Sequence, residues 1–203
     1  GLRERNHYRH EWVSTRLFQA FVGQDDDAGW LQRLAAYADP DTDARALEVT
    51  WLDHAGGRLL RDGLDEPHAS QHLPFAHLPP LAKAVAWLVF THHRLPCIPV
   101  KQSQGMEAED PRHTHRRFGA RPSFINTSEL DDVLLRISAD WNEPRESVSA
   151  STLAAHWHFP HGLPVTQPAW RKQAARYAHK LLELSQIAGQ CTVLPDPFAM
   201  HVA

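Results

Sequence analysis

The chain has 203 residues, enough for one domain with a sizeable core, and a formal net charge of −3. That charge excludes an overall basic field, so any nucleic-acid contact must be local. The two cysteines, Cys97 and Cys191, give neither a disulfide framework nor a zinc-type Cys-x-x-Cys spacing, and no apolar run approaches the ~20 residues needed to cross a bilayer; a reducing, cytoplasmic setting is expected.

In chain order, Gly1 is followed by charged Arg3-Glu4-Arg5, which is no signal peptide. The chain lacks an initial Met and ends at Met200-His201-Val202-Ala203, so it is expected to be an internal piece of a longer polypeptide. Asn6 to Gly23 predicts a helix. His10, Ser14, Leu17 and Phe21 share one face, Trp12, Val13, Phe18 and Val22 widen the apolar surface, and Gly23 is a natural stop. Asp25-Asp26-Asp27 is either a solvated loop or a negative cap for the next helix, since it lacks calcium-loop spacing. Ala28 to Ala38 predicts a short helix, broken by Asp39-Pro40-Asp41, and Thr42 to His54 resumes the pattern until Gly56-Gly57.

Residues 58–77 are irregular, with Leu59, Leu60 and Phe75 expected to turn back onto the core. Leu78 to Pro96 reads as a buried helix. Pro79 and Pro80 suit its first turn, and Pro96 stops it. Leu81, Val85 and Leu88 recur at helical spacing, with His92 on the same stripe and His93 beside it. The tract 101–122 is polar and aperiodic, a loop carrying Arg112, Arg116, Arg117 and Arg121. Ser128 to Asp131 resembles a capping box before Val133, Leu134, Leu135 and Ile137. Ser151 or Thr152 is expected to cap a turn over Leu153 to Trp157. A long helix runs from Pro168 to about Ala188, with Trp170, Ala174, Tyr177, Leu181 and Leu184 as its buried stripe. Another helix begins near Pro197. No strand alternation appears, so the expected class is all-α, a helical bundle with long polar loops.

Fifteen histidines are an unusual share, and most suit loop composition. His10 and His92 stand out because both fall on apolar helix faces. One such residue is ordinarily a core histidine, but two, with His93 attached, point to a shared metal site, since neutral imidazole is the commonest metal ligand. Glu11 reads as a helix N-terminal charge and Ser14 as a group able to support His10. Asp53-His54 reverses the His-Asp order of a known hydrolase signature and reads as a helix end. His113-Thr114-His115 with Arg116-Arg117 suits either a phosphate clamp or a solvated loop. His156, His158 and His161 have weaker context. No nucleophile elbow or glycine-rich phosphate loop is present.

The stretch Arg9-His10-Glu11-Trp12-Val13-Ser14, the helix opening Pro79-Pro80-Leu81-Ala82-Lys83 and closing on His92-His93-Arg94-Leu95-Pro96, and the tail from Pro195 to Ala203 resemble the HD-type nuclease domain of the signature helicase–nuclease of type I CRISPR systems. The subtype F form, with an adaptation domain fused at its N-terminus, is the most similar. The resemblance spans most of the chain, residues 1–203 forming one HD-nuclease-like domain. It implies an all-helical fold with two divalent transition metals, and metal-ligand roles for His10, His92 and His93. Imidazole ligation favours Fe, Mn, Co or Ni. The family's His-Asp dipeptide would lie upstream of His10 and a later metal-binding Asp beyond Ala203, so this chain would hold about half of the centre. The implied reaction is metal-assisted hydrolysis of single-stranded DNA. The implied partners are a CRISPR surveillance complex and the adaptation protein, with no membrane. Arg116, Arg117 and Arg121 are expected, from local charge, to guide the DNA backbone.

Two other readings compete. One is a nucleotide phosphohydrolase of the HD superfamily, with the same metal chemistry in a smaller pocket. The other is a helical docking module whose histidines are packed core residues. Metal ligands converge within about 2 Å of a common point, whereas core histidines need not.

Overall fold

The structure, a computed structural model, describes residues 10–66, 73–92, 134, 137 and 149–187, with side chains to 184. The described residues form six α-helices, one short 3-10 turn and no strand ladder, so the all-α expectation holds. Helix α1 (His10–Val22) is the most deeply wrapped. Glu11, Trp12, Val13, Thr15, Arg16, Leu17, Ala20, Phe21 and Val22 are all buried, and only His10 and Ser14 are exposed. A helix apolar on so many sides belongs inside the bundle. It stops at Gly23, whose φ of +63° suits the left-handed residue after a helix, and whose N–H reaches the Gln19 carbonyl at 2.9 Å.

The aspartate triplet divides three ways. Asp25 pairs with Arg33. Asp26 caps α2 (Asp27–Ala36), its carboxylate accepting from Gly29 N at 2.7 Å. Asp27 reaches across to α4 (Pro80–Thr91), accepting from Leu81 N at 2.8 Å and Ala82 N at 3.0 Å. Helix α4 needs that help, because Pro79 at its own cap position supplies no side-chain acceptor. Helix α3 (Ala44–Trp51) is capped by Asp43 and lies on the surface, no residue of it fully buried. Its Trp51 stacks on Phe21 at 4.7 Å and donates from Nε1 to the Tyr37 hydroxyl at 3.2 Å. Burial pushes the Tyr37 hydroxyl above its ordinary pKa, against that bond and the charges of Arg33 and Arg58.

Leu59, Leu60 and Phe75 are buried, as expected of apolar residues in an otherwise polar connection. The faces of two helices differ from expectation. On α4 the buried residues are Ala82, Ala84, Ala86, Trp87, Phe90 and Thr91, while Leu81, Val85 and Leu88 are half-buried and His92 is exposed. The stripe is rotated by one residue, because the alanines let the α4 backbone close on α1 and the longer aliphatic chains cover the flanks. On α6 (Pro168–Ile187) the buried residues are Arg171, Ala175 and Ala178, whereas Tyr177 and Leu184 are 53% and 59% exposed. Here too small residues mark the close approach, against α2. Helix α5 (Ala150–Ala155) begins earlier than expected and is capped by Ser149, which accepts from Thr152 N at 3.2 Å, rather than by Ser151 or Thr152.

The main pairings are α1 with α4 and α2 with α6. Buried Arg171 ties the start of α6 to the end of α2, donating to the carbonyl of Tyr37 and to those of Val165 and Thr166 in the 3-10 turn Pro164–Thr166. Glu48 of α3 accepts from Leu163 N just before that turn. The expected capping box, the loop 101–122 and the helix near Pro197 lie outside the described residues.

Candidate metal centre

Helices α1 and α4 run in opposite senses at this end of the bundle, so the first residue of one meets the last of the other. Trp12 packs edge-on against Phe90 with centroids 5.7 Å apart, and one turn outward His10 meets His92 at 5.5 Å and 65°. Two threonines anchor the helix turns behind the pair. Thr15 Oγ1 donates to the Glu11 carbonyl at 2.8 Å, and Thr91 Oγ1 to the Trp87 carbonyl at 2.7 Å. Both imidazoles are exposed, His10 by 63% of its side chain. This corrects the expectation that they lie on core-facing stripes. Each stands at a helix end, where the apolar face has run out, so the imidazoles meet at the rim of the core.

His92 is the C-cap of α4, and its Nδ1 lies 2.7 Å from the Val89 carbonyl. A carbonyl only accepts, so Nδ1 carries the proton and Nε2 of the neutral ring keeps its lone pair. That is the tautomer a metal requires, held by a backbone bond of the kind that orients metal-bound histidines. His10 Nδ1 lies 3.6 Å from Oε2 of Glu11. Glu11 is only 4% exposed, so it is more than the N-terminal helix charge expected of it. Ser14, one turn along α1, is exposed.

Beneath the pair is a buried polar network with no counterpart in the sequence expectations. Asp62, 6% exposed, accepts from Trp12 Nε1 at 2.6 Å and takes both prongs of the Arg16 guanidinium at 2.7 Å. Arg16 is itself 1% exposed. The network pins the connection 52–66 to α1 and fixes the indole that packs on Phe90. Its sequence signal is slight: Arg16 falls among apolar residues of a predicted helix, and Asp62 stands in Arg61-Asp62-Gly63 with no periodicity.

The remaining candidates separate. Asp53 Oδ1 accepts from Gly56 N at 2.7 Å, and the Asp53 carbonyl accepts from Arg58 N and Leu59 N at 3.0 Å, consistent with a helix end. His158 and His161 are exposed, and His156 is the C-cap of α5. His93, His113, His115, Arg116, Arg117 and Arg121 lie outside the described residues.

Among the described residues no three His, Cys, Asp or Glu side chains converge as a complete metal shell. The pair does suit part of one. Ring centroids 5.5 Å apart lie within the span that one ion bridges when a nitrogen of each ring faces it at about 2 Å. Two neutral nitrogen donors suit a transition metal better than magnesium.

No family model matches the chain. Two curated relatives are similar to almost all of it. A CRISPR-associated nuclease/helicase Cas3 of subtype I-F/YPEST from Pseudomonas aeruginosa is 36% identical over 200 residues, which is 97% of this chain and 15% of the relative. A protein of the same description from Pectobacterium atrosepticum is 33% identical over 180 residues, 87% of this chain and 14% of the relative. The chain therefore spans about 15% of the length of the curated relatives it matches. Over nearly its whole length it is homologous to one segment of these subtype I-F/YPEST nuclease/helicases.

Proposed function

We propose that this chain is part of the HD-type nuclease domain of a CRISPR interference helicase–nuclease, and that the full polypeptide, rather than this segment alone, hydrolyses single-stranded DNA with divalent transition metals. The observation that carries the reading is the meeting of His10 and His92, with the His92 tautomer fixed so that Nε2 keeps the lone pair a metal takes. His93, next in sequence, would be the third donor, and the remaining ligands would come from elsewhere in a longer polypeptide. A bound ion would supply Lewis-acid chemistry, lowering the pKa of a water and offsetting charge on the phosphoryl oxygens. This chain's own residues would orient the ligands. The Val89 carbonyl sets the His92 ring, and the Trp12–Phe90 contact, tied to Asp62, holds the two helix ends together.

The exposed position of the pair favours a polymer over a mononucleotide, because a phosphohydrolase for small nucleotides would enclose its ligand. The exposure of both rings also weighs against the docking-module reading, in which His10 and His92 are packed core residues. The test compares metal-loaded full-length protein with its His92→Ala variant on a single-stranded oligonucleotide and on mononucleotides. The expected result is oligonucleotide cleavage, lost in the variant and after chelation, with no mononucleotide turnover. Cleavage that survives both treatments overturns the reading.

A further inference from the structure

Helix α6 carries a row of cations that its own stability does not explain. Lys172, Arg176 and Lys180 follow at four-residue intervals, and all three are exposed. That spacing stacks them on one face, about 6 Å apart along the axis. Like charges so placed repel and weaken a helix. Among the described residues none of the three is ion-paired, and Glu183 is the only acid in the helix. His179 adds a fourth basic group beside them. Arg171 plays a different part, being buried and bonded to backbone carbonyls.

The row faces away from the core, since Ala175 and Ala178 pack inward and α2 covers that side. Tyr177 and Leu184, seven residues apart, run along its flank and leave more than half their surface in water. An occupant must therefore offer repeated anions together with flat apolar faces. A duplex offers phosphates but hides its base faces, and an acidic peptide offers a ring only where an aromatic residue interrupts its carboxylates. Every nucleotide of a single strand carries both, a phosphate for the cations and an unstacked base for the Tyr177 ring.

We propose that the Lys172–Arg176–Lys180 face of α6, with Tyr177 on its flank, is a track for single-stranded DNA. The choice of DNA rests on the nuclease reading, while the choice of a single strand rests on this face. Helix α6 packs chiefly on α2 and the 3-10 turn, so the track is a surface distinct from the His10–His92 pair. It would hold the strand without touching the reacting phosphate.

The test is lysine acylation footprinting of the full-length protein, read by mass spectrometry at Lys172 and Lys180, with oligo-dT, a duplex of equal length, or poly-glutamate added. Oligo-dT is expected to slow acylation of both lysines several-fold, the duplex and poly-glutamate much less. Arg176→Glu is expected to reduce that protection without lowering the melting temperature, since Arg176 is exposed and the new acid relieves the repulsion with Lys172 and Lys180. Reversing all three charges should lower the salt slope of oligo-dT binding by about 2, three phosphate contacts at roughly 0.7 each. Protection by poly-glutamate alone, equal protection by the duplex, or no protection at all overturns the proposal. Metal content and cleavage measured on the same protein report on the nuclease reading separately, so the two can fail independently.

Discussion

Asp62 shows how one side chain can position a site it does not enter. Its carboxylate is nearly buried and holds both Arg16 and Trp12. Removing it takes away the carboxylate that holds two nitrogens of a buried guanidinium, and breaking such a pair costs about 3–5 kcal/mol. For a domain of this size each kcal/mol lowers the melting temperature by about 2–4 °C. Asp62→Ala is therefore expected to lower it by roughly 10 °C and to loosen the Trp12–Phe90 contact behind the histidines. Asp65 in the same connection is the control. It pairs with Arg61 at 2.6 Å in a bridge whose side chains are 25% and 21% exposed, against 1% and 4% for Arg16 and Asp62, and Asp65→Ala is expected to cost less, about 1 kcal/mol. Thermal unfolding of both variants checks the contrast, and equal losses would deny Asp62 its special place. No pattern in the sequence separates these two aspartates, because what distinguishes them is which one the fold carries inside.

At the scale of the helix, the existence and rough extent of the elements were legible and their faces were not. Proline and glycine mark helix ends by backbone chemistry that acts locally, so Gly23, Pro80 and Pro168 could be read directly. Which face turns inward depends on how closely two helices approach. The expectation followed aliphatic spacing, Leu81, Val85 and Leu88 on α4, and Tyr177 and Leu184 on α6. The fold instead buried Ala82 and Ala86 beside Trp87 and Phe90 on α4, which pairs with α1, and Ala175 and Ala178 on α6, which pairs with α2. This assigns opposite sensitivities. Ala86→Leu overpacks a closed interface and is expected to cost about 1–3 kcal/mol. Leu184→Ala removes an exposed side chain and should stay within about 0.5 kcal/mol. Urea denaturation midpoints compare the two, and a larger loss at Leu184 would restore the aliphatic stripe as the packing face.

For the molecule as a whole, the all-α class follows from periodicity and the absence of alternation, and the structure agrees. The resemblance to a subtype F CRISPR helicase–nuclease is matched by two relatives of that description. The candidate site was legible in part. His10 and His92 were singled out and do meet, but at the rim of the bundle rather than within its core. Periodicity alone puts them on apolar stripes, whereas their positions follow from two helices ending at the same place. The cation row of α6 went unseen, because its aromatic neighbour Tyr177 was assigned to the core. A net charge of −3 conceals a basic surface when acids elsewhere balance it.

The most direct test of the account is the transition-metal content of the full-length protein, measured by elemental analysis beside His10→Ala and His92→Ala variants of unchanged melting temperature. Fe, Mn, Co or Ni is expected in the parent protein, with a clear loss of bound metal in both variants, since each removes one of the two imidazoles proposed to hold it. Metal content unchanged in either variant, or a parent protein that takes up no transition metal when supplied with it, would contradict the metal centre and the nuclease reading built on it.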